Sequence, residues 1–178
     1  GFLLDAVILH QRMGPGRTCL QSLAMTGDLG LPAVNDSKGC GGLMREAPIG
    51  FWAALHGERW DVQRTFQVTS GAAQLTHGHP CGFLSAGAFA VLLQELVSGT
   101  ALTEALQLVL ELLSALGETG NGVRQALLHA LQLAESQTLW PEAVHHLGAG
   151  WVAEEILAIV VFVGLMAPDF LTGVRWAA

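Results

Sequence analysis

Charge is in short supply in this chain. Asp, Glu, Lys and Arg together make up 13% of its 178 residues, and only eight residues are basic. Those eight are scattered singly and the formal net charge is -7. No basic stripe is available to neutralise a phosphate backbone, so nucleic acid is not an expected partner. Cysteine is also sparse. Cys19, Cys40 and Cys81 are odd in number and lack C-x-x-C spacing, which argues against a disulfide framework or a zinc site and fits a reducing, cytoplasmic setting. Long apolar runs are missing too. The longest, Ile156 to Ala167, falls short of the roughly 20 residues that a bilayer span needs, so it reads as a buried helix and no membrane partner is expected. No basic segment followed by an apolar stretch stands at the start, so a secretory signal is not expected within these residues.

What the chain does have is apolar bulk. Hydrophobic residues make up 51%, enough for one domain over residues 1–178 to bury a core without disulfides or a structural metal. Leu102, Leu106, Val109, Leu110, Leu113 and Leu116 recur at helical steps, as do Val123, Ala126, Leu127, Ala130, Leu131 and Ala134. These predict two amphipathic helices. The glycines of 117–122 are expected to release the chain between them into an antiparallel hairpin. Leu84 to Val97 and Val152 to Ala167 are apolar on every face and predict central helices, with His79 capping the first, Pro80 at its first position and Pro168 ending the second. Trp60 to Ala73 and a segment opened by Gly14-Pro15-Gly16 and running to Ala24 predict two more. No stretch alternates with period 2 between hairpin turns. The expected fold is all-α, an orthogonal array of about eight or nine helices. Gly1 in place of an initiator Met, and a helix-compatible run from Val174 to Ala178 without cap or breaker, lead to the expectation that the chain is a fragment of a larger domain, truncated at both ends.

Three stretches can carry chemistry. In Asn35-Asp36-Ser37-Lys38-Gly39-Cys40-Gly41-Gly42-Leu43-Met44-Arg45, three glycines in four positions permit close backbone approach. A helix expected near Gly42 would turn free amides toward a phosphate or diphosphate. The same residues also read as an ordinary glycine-rich loop, and the spacing is not that of a Walker A loop. In Thr76-His77-Gly78-His79-Pro80, His77 is the candidate ligand contact and His79 the helix cap, although His77 as a plain loop residue fits as well. In Leu147-Gly148-Ala149-Gly150-Trp151-Val152-Ala153-Glu154-Glu155, Trp151 can offer a flat wall to a base or ribose or fill the core. Glu154 and Glu155 sit about 100° apart on a helix, so they cannot oppose each other across one glycosidic bond, and a helix-dipole role is the simpler assignment.

Taken in order with Gly14-Pro15-Gly16-Arg17-Thr18-Cys19-Leu20, these stretches resemble the ADP-ribosylglycohydrolase family, which includes the dinitrogenase-reductase-activating glycohydrolases. The specific part is the N-x-S-x-G-x-G-x-x-M-R-x-A-P block followed by T-H-x-H-P. The resemblance implies an all-α fold that binds ADP-ribose or an ADP-ribosylated substrate. It implies hydrolysis of the glycosidic bond to an acceptor such as an arginine or serine side chain or a related small molecule, assisted by two Mg²⁺ ions. It assigns ligand binding to Asn35, Asp36, Ser37, Lys38, Gly39, Cys40 and Gly41, with Ser37 and the amides near Gly39 and Gly41 favoured, and further to His77 and Trp151. Family members hold the metals with a Thr-Asp-Asp stretch before this region and an Asp-x-Asp-Ser/Thr stretch after it. Asp5, Asp28, Asp36, Asp61 and Asp169 include no adjacent pair and no D-x-D, so no catalytic or metal-binding residue is expected in the chain. Hydrolysis is then expected of a longer parent protein, with these residues supplying the ADP-ribose loops. A catalytically inactive ADP-ribose-binding or crystallin-like structural member is the alternative, and a helical interaction module with glycines serving helix packing is the third reading.

Overall fold

The computed structural model describes residues 16–26 and 30–177. Gly14 and Pro15, expected to open the first helix, lie outside the described residues, as do Asp5 and Asp28. Among the described residues the chain is all-α: α1 (Arg17–Met25), a 3₁₀ turn (Leu43–Arg45), α2 (Ala47–Leu55), α3 (Val62–Gln74), α4 (Pro80–Val97), α5 (Leu102–Ala115), α6 (Glu118–Glu135), α7 (Trp140–Leu147), α8 (Ala153–Met166) and α9 (Phe170–Ala177).

Local chemistry sets the ends of these helices. The Asp61 carboxylate accepts from the Arg64 amide at 2.7 Å and starts α3, satisfying one of the donors a helix N-terminus leaves open. The His79 imidazole accepts from the Cys81 amide at 3.0 Å, with Pro80 opening α4, so the cap and proline readings both hold. Two expectations are corrected. The helix predicted near Gly42 is only the 3₁₀ turn, and α2 begins at Ala47. The glycines of 117–122 do not form a loop, because α6 already starts at Glu118. Gly117 alone turns the chain, at φ +59°. Gly120 and Gly122 are helical, and a Cβ on either would sit 2.2 Å from the Leu113 carbonyl oxygen or 2.6 Å from Cys81 Sγ. These glycines let α6 approach its neighbours.

Helix α4 is the hub, packed against α2, α3, α5, α6 and α8, and α6 packs closely on α8. By length and composition α4 also matches a membrane span, but here its residues from Cys81 to Gln94 are mostly buried among the other helices. Leu106, Val109 and Leu113 from α5, Val123 and Leu127 from α6, and Leu157, Val161 and Phe162 from α8 are all buried to 1% exposure or less. Each such side chain contributes roughly 1.5–3 kcal/mol relative to exposure, so their burial holds α5, α6 and α8 together. Trp140 stacks on Trp176 with ring centroids 5.8 Å apart, fixing α9 to α7.

Candidate functional site

The glycine-rich block and the loop before α8 are joined backbone to backbone. The Ala153 amide donates to the Lys38 carbonyl at 2.8 Å and the Cys40 amide to the Trp151 carbonyl at 3.4 Å, forming an isolated antiparallel bridge between Gly39 and Val152. Side chains reinforce it. Lys38 Nζ lies 2.8 Å from Glu154 Oε1, and this hydrogen bond and charge raise the Lys38 pKa above its ordinary value. The next carboxylate points elsewhere: Glu155 Oε2 accepts from the Gly150 amide at 3.0 Å. Both glutamates stand in the first turn of α8, as a dipole role requires. Their angular separation gives them two specific tasks beyond it, one holding the block and the other the 148–150 loop.

A second join ties the block to α1 and to the turn before α4. The Asn35 amide nitrogen donates to Ser22 Oγ at 2.9 Å and to the Thr76 carbonyl at 3.0 Å, while its carbonyl oxygen accepts from the Ser37 and Gly78 amides, each at 3.0 Å. Ser22, 5% exposed, itself donates to the Thr76 carbonyl at 2.8 Å. Sequence reading missed Ser22, an unremarkable serine inside a helix whose partner lies 54 positions away.

His77 is 1% exposed. Ideal Cβ atoms built on Gly39, Gly41 and Gly42 would each lie within 3.2–3.4 Å of its imidazole, so the three glycines wrap the ring. Its Nδ1 is 2.8 Å from Thr76 Oγ1. Burial, and to a lesser degree the Arg45 charge, lower its pKa, which keeps the ring neutral near pH 7. The ring lies beneath the block as a floor rather than on its open face. Arg45 ties down the far end of the block, bonding the Ala72 carbonyl at 2.9 Å and the 3%-exposed Glu46 at 3.0 Å; burial raises the Glu46 carboxyl above its usual range.

On the open side, Asp36 and Lys38 are exposed, Ser37, Gly39, Cys40 and Gly41 are partly buried, and Trp151 is 80% exposed. That exposure rules out the core reading of Trp151. The Gly39 amide is already directed to Ser37 Oγ at 3.3 Å. Beside the block, between α1 and residues 31–37, runs a groove of about 490 Å³ lined by Thr18, Gln21, Met25, Leu31, Val34 and Ser37, among others.

The described parts of the stretches that carry the resemblance therefore meet in one place. Across residues 5–178 the sequence matches the model of the family described as ADP-ribosylglycohydrolase. The chain belongs to the ADP-ribosylglycohydrolase family. No curated protein and no solved structure matches it. Membership suggests glycohydrolase-type activity, and the family generally binds divalent metals.

The donor set available here does not fit such ions. Among the described residues no three His, Cys, Asp or Glu side chains are grouped to hold a metal. Asp61 and Asp169 are committed to the starts of α3 and α9, the latter through the Thr172 amide and hydroxyl, each at 2.9 Å. Glu46, Glu154 and Glu155 are bonded to Arg45, Lys38 and the Gly150 amide. Mg²⁺ needs several oxygen donors in near-octahedral array, and these carboxylates are dispersed and engaged.

Proposed function

We propose that this chain binds ADP-ribose along the loop 35–41, with Trp151 beside it. In this reading the loop is the ligand-holding part of an enzyme that hydrolyses the glycosidic bond between ADP-ribose and a protein side chain or small-molecule acceptor. The observation that carries the reading is the meeting of block 35–42 with loop 148–151, through the Gly39–Val152 bridge, and with turn 76–80 beneath it, through Asn35. Among the described residues nothing accepts from the amides of Asp36, Lys38 and Gly41, which suits donation to diphosphate oxygens. The adjoining groove of about 490 Å³ lies in the usual range for small-ligand sites, and Trp151 offers an apolar face to a base or ribose.

Binding and hydrolysis separate in this proposal. With no carboxylate cluster to hold Mg²⁺ among the described residues, the chain positions ADP-ribose but does not cleave its glycosidic bond by itself. Calorimetry with ADP-ribose and a magnesium-dependent release assay on an ADP-ribosylated peptide test the two halves. Saturable binding without release is the expected result; absence of binding refutes the first half, and release refutes the second. The same dispersal of carboxylates among the described residues favours the alternative of a catalytically inactive relative. A crystallin-like structural member would show neither binding nor release.

A further inference from the structure

Asn35 heads the motif that suggests ligand binding, yet its side chain is fully committed within the protein. Its orientation is dictated by its partners. The Ser37 and Gly78 amides are donors and must face the carboxamide oxygen, and the Thr76 carbonyl is an acceptor and must face the nitrogen. One planar group thereby closes a turn inside the block, holds the turn that carries His77, and reaches Ser22 on α1. Ser22 completes the circuit from below; both it, at 5% exposure, and the exposed Asn35 stand in the wall of the groove, but the polar atoms of both side chains are engaged within the protein. Three chain segments that share no helix are joined at this carboxamide.

We infer that Asn35 and Ser22 are positioning residues, a staple whose bonds within the protein hold the block in its ligand-receiving shape. The inference rests on the proposed reading of the block as the ADP-ribose loop. Loss of the carboxamide frees the Ser37 and Gly78 amides and lets the block slide relative to turn 76–80, so the loop loses its fixed shape. Preorganised loops lose affinity when their ordering has to be supplied at binding.

The test combines amide hydrogen exchange with ADP-ribose calorimetry on the whole chain. In Asn35→Ala, exchange at Ser37 and Gly78 should accelerate about tenfold or more while α5, α6 and α8 keep their protection, and the Kd should rise about 10- to 100-fold, as loss of several hydrogen bonds implies. Asn35→Asp keeps the acceptor for both amides and loses the donations to Ser22 and Thr76, so it should restore the protection of Ser37 and Gly78 in part. Ser22→Ala should weaken binding in the same direction by about 3- to 10-fold, and the double variant should show less than the product of the single effects. If Asn35→Ala does not fold, Asn35→Asp and Ser22→Ala carry the same comparison. Weaker binding with unchanged exchange at Ser37 and Gly78 would make Asn35 a direct ligand contact and overturn the staple. Unchanged exchange in every variant overturns it as well. A wild-type chain that does not bind ADP-ribose counts against the proposed function alone, because the exchange measurements still decide for or against the staple.

Discussion

Replacing Gly78 by alanine probes the join between the block and the turn before α4 most directly. A Cβ on Gly78 would lie 2.1 Å from the Asn35 carbonyl oxygen and 2.8 Å from that of Ala33. Both obstacles are backbone, so no side chain can rotate away. To reach the 3.4 Å where ordinary contact begins, the two segments must separate by about 1.3 Å. Such a displacement breaks the bond from the Gly78 amide to Asn35 and strains the one from Asn35 to the Thr76 carbonyl. Overpacking costs about 1–3 kcal/mol and each lost hydrogen bond about 1 kcal/mol. The reduced freedom of the unfolded chain returns roughly 0.4–1 kcal/mol. The net destabilisation is about 1–4 kcal/mol, which for a chain of this size lowers the Tm by about 2–14 °C. Gly71→Ala is the control. Gly71 is exposed inside α3 with nothing within 4 Å of its Cβ position, so alanine there should stabilise by about 0.5–1 kcal/mol. Thermal and urea denaturation of both variants provide the measurement. Equal stability of Gly78→Ala and wild type would refute the close approach of residues 33–35 to the turn, and with it the geometry of the join.

Two further predictions concern buried titratable groups. Because the folded chain lowers the His77 pKa, the unfolded chain takes up the proton first as pH falls. The stability contributed by the neutral ring is therefore present above about 6.5 and is lost as pH falls from there through the lower folded value. Tm measured from pH 7.5 to 5 should fall more steeply for wild type than for His77→Asn, and identical slopes would contradict the neutral buried ring. Cys81 is 6% exposed, and burial first and the Glu154 carboxylate second raise its thiol pKa. Iodoacetamide at pH 8 should label it at least about tenfold more slowly than the partly buried Cys19 and Cys40; equal labelling rates would place Cys81 at the surface.

The family, the helices and the apolar faces were legible in the amino-acid order because each depends on neighbours in the chain. Leu102 to Leu116 and Val123 to Ala134 repeat at helical spacing, and His79-Pro80 announces the start of α4 through a contact two residues long. The glycine block could likewise be recognised by its local pattern. Gly120 and Gly122 were misleading for a physical reason. A glycine that breaks a helix and a glycine that lets two helices touch look the same until the partner, the Leu113 carbonyl or Cys81 Sγ, is in place.

The assignment of roles inside the site belonged to tertiary structure alone. Asn35 meets Ser22 and Thr76 across 13 and 41 positions, and Lys38 meets Glu154 across 116. No periodicity encodes such pairs, because the intervening helices must pack before the groups come within hydrogen-bonding distance. Sequence could say that Trp151 and His77 accompany the block; packing placed one ring 80% exposed beside it and the other 1% exposed beneath it. A composition short of charge pointed to broad apolar faces to be buried, and the fold then decided which of its few polar groups would hold the loops together.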